Sequence, residues 1–286
     1  GIDYGINNLR GKPSLEESRE IIAEALRNGI NTFDTAPAYG DSEKILGRYL
    51  EDLQADAVII SKLPRLDWER SSEEIREEIR ASLGRTLDHL RISRLPVCLF
   101  HRFEDIDERD GLALQELIRL RDEGLIEKLG ASIYTPEEAG ACLGIDGLEV
   151  LQSPFNLADK RPLDSGIFRR ARKRGVTILV RSVFLQGLFF REEIPENLRP
   201  FEVFRRNLRD ICAEEGLDMA QLALRYALSF EEIDSILIGL ETLGQLRENI
   251  EIIRKGPLPA GIMEKINRLG TADAKAVDPR RWTEAA

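Results

Sequence analysis

The chain has 286 residues, 42% of them hydrophobic, and a formal net charge of -10. That length allows one large barrel or two ordinary domains, and is enough to bury about three quarters of the unfolded surface. The acidic balance lacks the electrostatic footprint of a nucleic-acid binder and serves solubility instead. Cys98, Cys142 and Cys212 are scattered, odd in number and free of CxxC spacing. They argue against a disulfide framework or thiolate metal site and favour a reducing, cytoplasmic compartment. With His89 and His101 as the sole histidines, a multi-histidine zinc site is not expected. No apolar run approaches the roughly 18 residues of a membrane span, and GIDYGINNLRGKPS lacks the basic start and apolar centre of a signal peptide.

Along the chain, Ser14 with Glu17 three residues on reads as a capping box. The helix it opens runs through Ile21, Ile22, Ala25 and Leu26 and stops at Gly29. Asn31–Phe33 reads as a short buried strand ending at Asp34, and Pro37 breaks it. Asp41 or Ser42 caps the next helix, near Ser42–Leu53. Ala57–Ser61 is a β-branched run ending at Lys62; Ser71–Leu90 is an amphipathic helix opened by Ser72; Leu95–Phe100 is a strand ending at His101. Helix over Gly111–Arg121, strand over Ile126–Ala131 ending at Ser132, and a short helix from Pro136 follow. Leu148–Leu151 is a strand ending at Gln152, Ser165–Arg174 a helix, and Val176–Val180 a strand ending at Arg181 and Ser182. Helices over Pro200–Glu215 and Met219–Ser229 precede the strand Ile236–Ile238, which ends at Gly239. Thr242–Ile253 and Ile262–Leu269 close the series as helices.

Strand and helix alternate throughout, which implies a parallel sheet with crossover helices. No Pro/Gly/Ser tract divides the chain, so residues 1–286 read as one domain. Short apolar strands with a helix at every turn favour an α/β (β/α)8 TIM barrel. Seven strands are counted where about eight are needed, and the chain opens with a helix and without methionine. The first strand is therefore expected to be trimmed or absent, at a cost in stability from the open edge.

Polar residues fall at the strand ends, where such a barrel gathers its chemistry. Asp34, Lys62, His101, Ser132, Gln152, Ser182 and Gly239 each follow a predicted strand. Four titratable groups, Asp34, Tyr39, Lys62 and His101, come from three consecutive strands. Carbonyl reduction requires a hydride at carbon and a proton at oxygen. A free phenol, with pKa about 10, is a sluggish acid at neutral pH, and a neighbouring ammonium such as Lys62 lowers that pKa. Asp34 can hold Lys62 protonated, His101 can polarise the substrate oxygen, and Tyr39 then serves as general acid or base.

Asp34-Thr-Ala-x-x-Tyr39-Gly40, followed by Ser42-Glu43 and Leu46-Gly47, resembles the signature of the aldo-keto reductases. The resemblance recurs at intervals to about Asn249. It implies an NADP-dependent oxidoreductase of the alcohol dehydrogenase or carbonyl reductase type, acting on an aldehyde or ketone, with Asp34, Tyr39, Lys62 and His101 as the catalytic tetrad. No GxGxxG or Walker A loop is present; the family instead lays NADP(H) across the barrel mouth. Ser132 and Gln152 resemble its carboxamide contacts, with Ile133 where an asparagine is common. Arg181 stands where the family stacks an aromatic ring on the nicotinamide; a guanidinium plane also stacks. Ser182, Phe184 and Gly187 resemble the pyrophosphate loop, and Arg191 is a further phosphate candidate. Gly239, Gln245, Glu248 and Asn249 resemble the adenosine end of the bacterial branch that includes potassium-channel β-subunits. Lys and Arg, which other branches use for the 2′-phosphate, are not at these positions, so NAD(H) stays open beside NADP(H). The expected partner is a small carbonyl substrate, with no nucleic acid, no membrane and a monomeric chain.

Two other readings start from the same residues: an NADP(H)-binding regulatory subunit with little turnover, and a Schiff-base lyase using Lys62. Plainer assignments fit elsewhere. His89 lies at a charged helix end, solvated or facing the dipole. The cysteines read as packing residues and Arg169–Arg174 as a solvated helix face. Trp68 and Trp282 are candidates for a substrate wall from loops; Phe184, Phe189 and Phe190 are wall or core.

Overall fold

The computed structural model describes residues 13–282. Its strands are β1 (Thr32–Asp34), β2 (Val58–Leu63), β3 (Leu95–Phe100), β4 (Ile126–Ser132), β5 (Leu148–Pro154), β6 (Thr177–Arg181) and β7 (Ser235–Ile236). They make one sheet in chain order, and the pairs β1–β2, β2–β3, β3–β4 and β6–β7 are parallel. The expected missing first strand concerns the start of the chain, which lies outside the described residues. Among the described residues, β1 and β7 each have one neighbouring strand.

The chain divides into two compact units. One runs up to Ile133 and includes Ala141–Leu151 and Leu240–Leu246; the other comprises Tyr134–Gly140, Gln152–Gly239 and the chain from Arg247.

In the first unit, α1 (Leu15–Arg27) starts with the expected capping box: Ser14 Oγ accepts from the Glu17 amide at 3.1 Å and Glu17 accepts from the Ser14 amide at 2.8 Å. A second box opens α3 (Ser72–Leu90), with Ser71 rather than Ser72 as the cap. α2 (Ser42–Asp52) has Asp41 at its N-cap, with no capping hydrogen bond to that side chain. β2 and β3 are buried along nearly their whole length, as strands covered on both faces must be. Ile75, Ile79, Leu83 and Leu90 form the buried stripe of α3. α2 packs closely against its end: a Cβ on Gly47 would lie 2.2 Å from the His89 carbonyl oxygen. α4 is assigned from Glu108 to Asp122, but Arg109, Asp110 and Gly111 are left-handed, so the regular helix starts after Gly111.

The second unit contains α5 (Pro136–Cys142) up to Gly140. Its core is an aromatic cluster: Phe155 stacks on Tyr226 at 5.6 Å and meets Phe168 and Phe230 edge-on at 5.5 and 5.2 Å. The helix expected over Ser165–Arg174 is α7 (Ile167–Lys173), which starts after left-handed Gly166, and a short α6 (Arg161–Asp164) that was not expected precedes it. α8 (Phe201–Glu215) and α9 (Met219–Leu228) lie as expected. β7 is shorter than the expected Ile236–Ile238 and only half-buried. α10 (Leu243–Arg254), α11 (Ala260–Arg268) and α12 (Ala274–Val277) follow. No described helix is long and apolar enough to cross a membrane.

Candidate active site

The first unit brings Asp34, Tyr39, Lys62 and His101 together. Asp34 is the last residue of β1, Lys62 lies near the end of β2 and His101 follows β3. Tyr39 sits in the turn between β1 and α2, its amide donating to Ala36 O at 2.9 Å and its carbonyl accepting from the Ser42 amide at 3.2 Å. The Lys62 side chain is 1% exposed. Its ammonium donates to both Asp34 carboxylate oxygens and to the Thr35 carbonyl, each at 2.8 Å. A buried ammonium must be paired in this way to stay charged. Lys62 Nζ lies 4.9 Å from the centre of the Tyr39 ring, and His101 meets that ring edge-on, centres 6.0 Å apart.

The polar residues next to this group are joined to α2, a linkage the sequence reading did not find. Thr35 donates its hydroxyl to Ser42 Oγ at 2.9 Å. Ser61 donates to Glu43 Oε1 at 2.7 Å, and Thr86 donates to the same oxygen at 3.1 Å. His89 Nδ1 lies 3.5 Å from Glu43 Oε2, so the ring faces a carboxylate as well as the helix end. The only sequence signal was polar residues set into otherwise apolar elements. Trp68, from the loop after β2, donates its indole N–H to Asp105 at 2.9 Å. Burial pushes the Asp105 carboxyl up, against the pull of that bond. Burial likewise pushes the Cys98 thiol up to about 12, with help from the Glu43 charge. Cys98, Cys142 and Cys212 are all buried, consistent with packing roles. Among the described residues no group of His, Cys, Asp and Glu is arranged to hold a metal.

The residues expected at the cofactor are placed as follows. Ser132 ends β4 and is buried; Gln152 lies in β5 and is buried. Arg181 ends β6, and its guanidinium lies 4.4 Å from the centre of the Tyr134 ring. Arg280, from the C-terminal turn, lies 3.6 Å from the same centre. Arg280 is held by Asp278 through bonds of 3.0 and 2.8 Å. Burial raises the Asp278 carboxyl, but the Arg280 guanidinium outweighs it and holds the group below its ordinary range. Beyond β6 the chain turns sharply: Ser182, Leu185, Gln186 and Gly187 all have left-handed φ, from 46° to 81°. Asn156 donates to the Ser182 carbonyl at 3.1 Å and fastens the start of this loop. The Leu185 and Gly187 amides are used within these turns, donating to the Ser182 and Phe184 carbonyls at 2.8 and 2.9 Å. Phe184 meets Phe190 edge-on at 5.5 Å; Phe189 is core and Phe190 exposed. Gly239 is exposed beyond β7. In the first unit, Gln245 accepts from the Glu241 amide at 2.8 Å and donates its own amide to Thr242, so it stiffens the start of α10. In the second, Glu248 is exposed and Asn249 buried. Arg191 is exposed, and its carbonyl accepts from Arg205. The Trp282 indole donates to the Ala276 carbonyl at 3.1 Å.

The sequence model of the Aldo/keto reductase family matches residues 2–270. The chain belongs to the aldo-keto reductase family. It is thus an oxidoreductase of a family that works with nicotinamide cofactors. Among its relatives, NADH-specific methylglyoxal reductase of Escherichia coli is 29% identical over 272 residues, covering 81% of each chain. L-galactose dehydrogenase of Arabidopsis thaliana is 25% identical, over 87% of this chain and 81% of that one. The holo form of aldo-keto reductase AKR11C1 from Bacillus halodurans aligns with a TM-score of 0.72 at 23% identity, over 94% of this chain and 90% of that one. Glycerol dehydrogenase AKR11B4 from Gluconobacter oxydans aligns at 0.71 and 23% identity, over 89% and 85%. The α/β fold of this aldo-keto reductase is that of the family's (β/α)8 barrels.

Proposed function

We propose that this single-domain aldo-keto reductase reversibly reduces an aldehyde or ketone with NADP(H), using Tyr39 as general acid. The reading is carried by one observation: a buried ammonium, Lys62, lies beside the Tyr39 ring while Asp34 holds its charge. An ammonium so placed favours the phenolate and makes Tyr39 a stronger acid than a free phenol. Tyr39 gives its proton to the carbonyl oxygen in reduction and takes it back in oxidation. His101, edge-on to Tyr39, donates a hydrogen bond to the same oxygen and polarises the carbonyl. Bound NADP(H) supplies the hydride.

For the cofactor, the family resemblance assigns Ser132 and Gln152 to the carboxamide, and Ser182, Phe184 and Gly187 to the pyrophosphate. Arg181 offers a guanidinium plane near the nicotinamide. Gly239, Gln245, Glu248 and Asn249 take the adenosine end. Gly239 and Gln245 stand where other branches carry lysine and arginine for a 2′-phosphate, and one relative is NADH-specific; fluorescence titration with NADPH and NADH decides between the two. Lys62 as a Schiff-base nucleophile fits poorly, because three acceptors at 2.8 Å hold it as an ammonium.

Tyr39→Phe tests the reading. Loss of a positioned general acid lowers kcat by about 10²–10⁴-fold, with NADPH affinity unchanged. Turnover within a few-fold of the parent enzyme on a good carbonyl substrate ends the assignment.

A further inference from the structure

The side chains behind the tetrad are polar where a helix-on-sheet layer is ordinarily apolar. Glu43 is 3% exposed, Ser61 1% and Thr35 0%. Burying a carboxylate costs free energy unless partners replace its water, and a well-packed apolar residue would join α2 to the sheet without that cost. The carboxylate has two aids: it lies in the first turn of α2, where the helix dipole favours an anion, and Ser61 and Thr86 donate to it.

Ser61 and Thr35 are also the neighbours in sequence of Lys62 and Asp34. Successive side chains on a strand leave opposite faces. Ser61 held at 2.7 Å by Glu43 therefore fixes the rotation of β2 that aims Lys62 the other way. Thr35 is held from Ser42, and its carbonyl accepts directly from the Lys62 ammonium. The first turn of α2 thus grips both strands that supply the ion pair. The helix cannot slide to relax this grip: the contact of Gly47 with the backbone of His89 and Leu90 leaves no room for even a methyl group.

We propose that Glu43 is a positioning residue for the reaction, acting through Ser61 on Lys62, with Ser42 acting in parallel through Thr35. The proposal rests on the role given to Tyr39 and Lys62 under the proposed function. Glu43 touches neither substrate nor cofactor. It sets where the ammonium stands beside the phenol, and a misplacement of about 1 Å costs up to a hundredfold in rate.

The test uses the full chain with NADPH and 4-nitrobenzaldehyde, and compares Glu43→Ala, Glu43→Gln and Ser61→Ala. Glu43→Ala and Ser61→Ala lower kcat by about tenfold, with NADPH affinity by fluorescence titration and KM altered less than about twofold. Glu43→Gln retains an oxygen that accepts from Ser61, and holds kcat within about threefold. A purely structural role would instead follow thermal stability and leave kcat of the folded fraction intact. If Glu43→Ala does not fold, Ser61→Ala, the loss of one hydroxyl, carries the comparison. Folded Ser61→Ala with parental kcat, or Glu43→Gln as slow as Glu43→Ala, overturns the proposal. Tyr39→Phe run alongside separates the two failures. If Tyr39→Phe is inactive and Ser61→Ala is unaffected, only the role of Glu43 falls; if Tyr39→Phe turns over normally, the assignment of the tetrad falls.

Discussion

Asp34→Asn strands the buried ammonium of Lys62. The Lys62 side chain is 1% exposed and that of Asp34 22%. Removing one member of a buried pair costs about 3–5 kcal/mol, since the other charge stays out of water unpaired. Asp34 keeps some solvent contact, and the Thr35 carbonyl still accepts from Lys62, so the lower end applies, about 3 kcal/mol. That is roughly a hundredfold in the folding equilibrium and about 6 °C or more in Tm. Urea denaturation at neutral pH, followed by circular dichroism, measures it. The double variant Asp34→Asn/Lys62→Met removes the stranded charge and recovers at least half of the loss, a non-additivity expected of residues in contact. A single-variant cost below about 1 kcal/mol, or a double variant no more stable than the single, would refute the claim that the pair is buried and coupled.

Gly47→Ala ordinarily gains helix propensity. Here the added methyl meets the His89 carbonyl at 2.2 Å, and the variant loses about 1–3 kcal/mol in urea titration; a neutral or stabilising result contradicts the close approach of α2 and α3. Lys160 is another buried lysine, donating to the Ile266 carbonyl at 2.5 Å, and burial pushes its ammonium down to about 8. The folded chain releases that proton near pH 8, whereas the unfolded chain keeps it to about pH 10.4. The unfolded state therefore binds more protons between those values, and the Lys160 contribution makes stability rise with pH across the window. Lys160→Met abolishes that part of the rise and is more stable than the parent at neutral pH by on the order of 2 kcal/mol. Denaturation at stepped pH compares the two chains, and an equal rise in both rules the linkage out.

What the sequence disclosed divides along the range of the interactions. The capping box at Ser14 spans three residues and was legible, whereas at α3 the start expected at Ser72 misses the box that Ser71 makes with Glu74. The strands were legible as short, largely apolar runs set between helices. The left-handed residues Arg109, Asp110, Ser182, Leu185 and Gln186 are not glycine, so nothing local announced the turns they make. The short α6 before Gly166 was not legible, because four residues are too few to show a helical period. At the site, the residue types Asp34, Tyr39, Lys62 and His101 suggest a chemistry by themselves. Glu43 suggested none, because its partners Ser61 and Thr86 lie 18 and 43 residues away and only the packing of α2 introduces them. The Tyr134 ring beside Arg181 and Arg280 is of the same kind: it meets both guanidinium groups only through the fold.

The enclosure of Lys62 makes that amine a built-in reporter. Acylating reagents modify lysines whose amines reach water as free bases, and Lys62 offers neither exposure nor a ready lone pair while β1 and β2 stay paired. Modification at that position, read by peptide mass after brief labelling, would count the moments when the two strands part. It would do so without a substrate, a dye or a mutation.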